Sequence, residues 1–130
     1  PKGFERVLFG RHLIPKNSKR RTVGIVEAED TALIAAACGY FPGVTFMASG
    51  GQPSPGLLRG LAGHRLIYYP DADATETAQE IARRCAGAGV RVEVVQPLAI
   101  FGPERLAEIT PNPAKCDLKD VITGLIARSR

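Results

Sequence analysis

Four short apolar runs rich in β-branched and aromatic residues punctuate this chain, and a segment with helical periodicity or turn composition follows each one. The runs are Thr22–Val26, Val44–Ala48, residues 65–69 and residues 90–95. Residues 31–39 carry Leu33, Ile34, Ala37 and Cys38 at helical spacing and stop at Gly39. Residues 75–86 place Ala78, Ile81, Ala82 and Cys85 on one face and stop at Gly87 and Gly89. Residues 117–129 align Leu118, Val121, Ile122, Leu125 and Ile126 in a single stripe. Residues 52–63 are rich in Pro and Gly and read as a loop with a short helical turn at 57–61. Strands alternating with helices predict right-handed crossovers and a parallel sheet covered on both faces. The expected class is therefore α/β, a three-layer sandwich around a mainly parallel four-stranded sheet. In such sheets the working residues lie at the carboxyl ends of the strands.

The 130 residues suit one domain, and no disulfide or metal staple is needed at that size. The longest apolar stretch, residues 32–47, is interrupted by Gly39, Pro42 and Gly43, so no membrane span of about 18 residues is expected. Cys38, Cys85 and Cys116 are far apart and show no CxxC spacing, which fits a reducing, cytoplasmic setting and argues against a zinc site. The chain opens Pro-Lys-Gly with no apolar leader and is expected to be a domain cut from a longer protein, whose other domains would be its partners. The net charge of +4 divides unevenly. Residues 1–21 carry seven bases and one acid, and residues 22–130 are slightly acidic. This basic arm, with Lys16, Lys19, Arg20 and Arg21 at its end, reads either as an electrostatic footprint for nucleic acid or as a solvated loop entering the first strand.

The acidic residues matter for where they fall. Glu27 directly follows the first strand, and Asp71 and Asp73 follow the third. If those strands are neighbours, three carboxylates converge, which is unfavourable without a proton or a cation. Hard oxygen donors without His or Cys suit Mg²⁺ or Mn²⁺, and Mg²⁺ keeps waters or phosphate oxygens as its remaining ligands. Asp73 also reads as an N-cap for the helix at 75, Asp117 as the N-cap of the last helix, and Glu29 and Asp30 as partners of a positive helix N-terminus. Gly50 and Gly51 form a turn after the second strand and offer backbone N–H groups for a phosphate. His12 and His64 read as structural or surface residues.

The segment Val26-Glu27-Ala28-Glu29-Asp30-Thr31-Ala32 resembles the first motif of the Toprim (topoisomerase–primase) family, and the strand ending in Asp71-Ala72-Asp73 resembles its DxD motif. Ser49-Gly50-Gly51 sits where those domains often carry a glycine turn. With residues 7–14, the whole looks most like primase-like proteins of bacterial mobile elements. The resemblance covers roughly residues 22–125. It implies Mg²⁺-dependent phosphodiester chemistry on DNA or an RNA primer and template, with Asp71 and Asp73 as metal ligands and Glu27 as general acid/base or a further ligand. A later acid would be Asp117 or Asp120. Ala28 stands where the family commonly has Gly, and no Gly follows the DxD closely. A Toprim nuclease, a nucleic-acid-binding module without turnover, and a receiver-like domain with Asp71 as phosphoacceptor are the alternative readings. Asp71-Ala72-Asp73-Ala74-Thr75 also spells the DxDxT of haloacid-dehalogenase-like phosphatases, which place it near their amino end.

Overall fold

The computed structural model describes residues 8–14, 19–71, 74–96, 101–111, 113 and 115–128. Four strands form one sheet: β1 (Thr22–Val26), β2 (Val44–Ala48), β3 (Arg65–Tyr68) and β4 (Val92–Val94). Every pairing is parallel and the order is β2-β1-β3-β4. The register sets Thr22 against both Val44 and Arg65, and Ile25 against Met47 and Tyr68. The helices are α1 (Glu29–Ala37), α2 (Pro55–Leu58), α3 (Thr75–Gly87), α4 (Pro103–Ile109) and α5 (Leu118–Arg128). This is the expected α/β sandwich.

Strand side chains alternate between two faces, and the core divides accordingly. Val23, Ile25, Met47, Leu66 and Tyr68 pack with Leu58 of α2 and with Ala78, Ile81 and Cys85 of α3. Val26, Phe46, Ala48, Ile67 and Tyr69 pack with Ala32 and Ala35 of α1 and with Leu118 and Ile122 of α5. The chain moves one way along the sheet from β1 to β2 and the other way from β2 to β3 and β4. Crossovers of one hand must then place their helices on opposite faces, as observed for α1 against α2 and α3. Gly24 of β1 lies under the Phe46 ring, where an added Cβ would come within 2.5 Å of Phe46 Cε1. A smaller third cluster, Leu106, Ile109, Cys116 and Val121, joins α4 to α5.

Several expectations are corrected. The buried face of α1 is Thr31, Ala32 and Ala35, whereas Leu33 is 59% exposed. Small side chains let this helix lie close to the sheet, and that rotates the larger Leu33 outward. The helix also begins two residues early, with Glu29 and Asp30 in its first turn, as suits a positive N-terminus. The turn at 57–61 is a helix from Pro55 followed by a 3-10 turn, Arg59–Leu61. Its start is set by Ser54, whose Oγ accepts from the Leu57 N–H, with Pro55 just inside. Helix α4 lies where no element was expected. Part of the basic segment is built into the body: Leu8 and Ile14 are buried, and Phe9 exchanges backbone hydrogen bonds with Ala48 on the outer edge of β2. All three cysteines are free, with Cys85 and Cys116 buried and Cys38 half-buried.

Candidate functional site

The topology sets the position of the site. The chain leaves β1 in one direction and later returns to pair β3 on its other side, so a crevice opens beyond the carboxyl ends of β1 and β3. Glu27 and Asp71 both lie there.

The end of β1 is pinned from both neighbours. Ser49 N donates to the Val26 carbonyl at 2.9 Å and Gly50 N to the Glu27 carbonyl at 2.8 Å. From the other side Tyr69 N donates to the Ile25 carbonyl at 3.0 Å. Ser49 is buried and its hydroxyl donates to the Gly51 carbonyl, which tightens the turn. Gly50 takes a positive φ of 69°, a conformation that favours glycine. Its N–H, read from the sequence as a phosphate contact, is engaged on Glu27, so this turn fixes the backbone of the acid.

The Glu27 side chain is held as well. The Tyr68 hydroxyl donates to Glu27 Oε1 at 3.2 Å. Tyr68 is 2% exposed, and burial, followed by the Glu27 and Asp71 charges, pushes its phenol well above the ordinary tyrosine range. It therefore stays a donor at any physiological pH. Strand parity explains the contact. Ile25 is level with Tyr68, and Glu27, two residues on, projects to the same side of the sheet.

Glu27, Asp71 and Asp117 line one cavity of about 120 Å³, together with Thr31, Tyr69 and Leu118. A water molecule takes about 30 Å³ in the liquid, so the space suits an ion with a few waters. Asp117 arrives from the start of α5. Its Oδ1 accepts from Asp120 N at 2.8 Å, and Asp120 Oδ2 accepts from Asp117 N at 3.1 Å. Of the two acids, Asp117 lines the cavity, and Asp120 holds the helix start. Burial pushes the Asp117 carboxyl above its ordinary range, and the Asp120 charge adds to that against the hydrogen bond from Asp120 N. Lys119 bonds Asp30 at 3.0 Å and so ties α5 to α1 beside the cavity.

Asp73 and Lys16 lie outside the described residues, as does the side chain of His12. The N-cap position of α3 is Ala74, without a side-chain cap, and the capping role read for Asp73 falls on a residue outside the described ones. Among the described residues no three His, Cys, Asp or Glu side chains form a metal-holding group by themselves. The chemistry of the donors still fits a hard cation, which takes few protein carboxylates and completes its shell with water. Lys19, Arg20 and Arg21 are exposed at the amino end of β1, the opposite edge of the sheet. Six residues at about 3.3 Å each separate Arg21 from Glu27 by about 20 Å. Sequence reasoning missed Tyr68 and Thr31. Tyr68 becomes visible only once the β1–β3 register is known.

No curated protein and no solved structure shows a significant match to the chain. Residues 2–72, which contain β1 to β3 together with Glu27 and Asp71, match the family described as Domain of unknown function (DUF6371), and the chain belongs to that family.

Proposed function

We propose that this chain is a Toprim-like module in which the cavity between β1 and β3 holds Mg²⁺ or Mn²⁺ for phosphodiester chemistry on nucleic acid. The observation that carries this reading is the convergence of Glu27, Asp71 and Asp117 on one small cavity at the switch point of the sheet. Asp71 and Asp73 would hold the cation, with Asp117 across the cavity. When bound, it would neutralise charge on the phosphoryl group and orient the attacking 3′-hydroxyl or water. Glu27 is the proton-handling group: its carboxylate accepts a proton from the attacking hydroxyl or returns one to the leaving oxygen. Tyr68 fixes the carboxylate rotamer through Oε1 and leaves Oε2 for that task.

Turnover on DNA tests the proposal. With Mn²⁺ present, the chain should act on a nucleic-acid phosphodiester, read as nicking of supercoiled plasmid or extension of a primed template. Asp71→Asn and Glu27→Gln should each remove the activity while the far-UV spectrum is unchanged. Activity that persists in both variants would refute the assignment.

A further inference from the structure

A second charged site lies at the other end of the sheet. In a parallel sheet all strand amino ends share one edge, and here three strands enter that edge with a base. Arg20 and Arg21 precede β1, His64 and Arg65 open β3, and Arg91 precedes β4. The sequence separates them by up to 71 positions, and the β1-β3-β4 order brings them together.

The geometry is specific. Arg21 N donates to His64 Nδ1 at 3.0 Å, and Arg65 N donates to the Arg21 carbonyl at 2.9 Å. The basic segment is thus clamped to β3, with His64 accepting through Nδ1. Arg65 is neutralised by a two-pronged pair with Glu93, both contacts at 3.0 Å. Arg20 and Arg91 make no ion pair among the described residues. Both are exposed, and both line a cavity of about 290 Å³ with His64, Gly63 and Gly89. A smaller cavity beside it is lined by Arg20, His64, Arg65, Arg91 and Glu93. The two glycines leave the space open, since a Cβ at either would meet nothing within 4 Å.

We propose that this cationic cavity is a binding site for the phosphate backbone of a nucleic acid. It holds unpaired guanidinium groups, the side chains best matched to phosphate. The backbones of β1 and β4 are two strand spacings apart, about 10 Å, so Arg20 and Arg91 suit two separate phosphates of one strand better than a single free anion. Lys19 and Arg21 extend the strip on the exposed side. The site lies about 20 Å from the acidic cavity, about six nucleotide steps of 3.4 Å. It stands on its own residues and does not require a cation at Glu27 and Asp71.

The test is fluorescence anisotropy of a labelled single-stranded DNA of roughly 20 nucleotides, in EDTA, between about 50 and 200 mM salt. EDTA makes the result independent of the acidic cavity. The chain should bind, and affinity should fall steeply with salt. Arg20→Ala with Arg91→Ala should weaken binding at least about tenfold at low salt and flatten the log–log salt slope by about 1.4, the share of two phosphate contacts on a single strand. Arg83→Ala, on the exposed face of α3, should change neither. Both cavity positions are exposed, so the variant should keep its far-UV spectrum. Absence of binding, or an unchanged affinity and slope in the double variant, would overturn the proposal. Displacement of the DNA by inorganic phosphate at matched ionic strength, as effectively as by unlabelled DNA of equal phosphate content, would overturn the backbone assignment in favour of a free anion.

Discussion

Asp117 holds two roles that a pair of substitutions separates. As the cap of α5 its Oδ1 accepts from Asp120 N at 2.8 Å. As a cavity acid it is a half-buried carboxyl beside a second one, and its raised pKa means that ionising it opposes folding. Asp117→Ala removes the cap, a loss of about 1 kcal/mol. At about 2.1 cal/mol/K per residue, the 130-residue chain has an unfolding entropy of about 0.27 kcal/mol/K, so that loss lowers Tm by roughly 4 °C. Asp117→Asn keeps the cap, since Asn caps as well as Asp, and removes the charge. The sign with pH follows from linkage. A carboxyl whose folded pKa lies above its unfolded value keeps its proton longer in the native state, so the wild type loses stability as pH rises through that interval. The Asn variant has no such term. Its Tm should match the wild type near pH 4 and exceed it near pH 7, in melts followed by circular dichroism without divalent cation. Mn²⁺ should then stabilise the wild type more than the variant. An Asn variant as unstable as Ala at pH 7 would refute the reasoning.

Two further outcomes follow from the packing. Gly24→Ala drives a Cβ into the Phe46 ring and should destabilise by about 1–3 kcal/mol, about 4–11 °C in Tm, because that ring is itself wedged against Phe41 and Tyr69. Tyr68→Phe keeps the buried ring and removes only the donor to Glu27. Its Tm should change little, while Mn²⁺ affinity measured by titration calorimetry should weaken by roughly two- to tenfold, the range of one hydrogen bond.

Local pattern carried much of the architecture. Thr22–Val26 and Val44–Ala48 are strands at the expected residues, and α3 and α5 bury the apolar faces that their periodicity marks. Helix α4 escaped because only Leu106 and Ile109 of its seven residues are buried, too few to make a stripe. The face of α1 was misjudged because alanines bury as well as leucines where a helix lies close to a sheet. Strand β4 is shorter than its apolar run because Val90 closes the turn that follows α3, where its N–H donates to the Cys85 carbonyl. At the site, the pairing of β1 with β3 was the condition for the acids to meet, and it holds. The Tyr68–Glu27 contact, the different placements of Asp117 and Asp120, and the separation of the basic residues from the acids all depend on register and topology. Those are properties of the assembled sheet that no local window contains.

The most direct measurement is the Mn²⁺ affinity of the chain, by titration calorimetry or by the spin signal of free Mn²⁺, compared with the Asp71→Asn, Asp73→Asn double variant. A single site lost in the double variant, with Tm unchanged in the absence of metal, is the expected result. Equal Mn²⁺ affinity in both proteins would contradict a cation site at the carboxyl ends of β1 and β3.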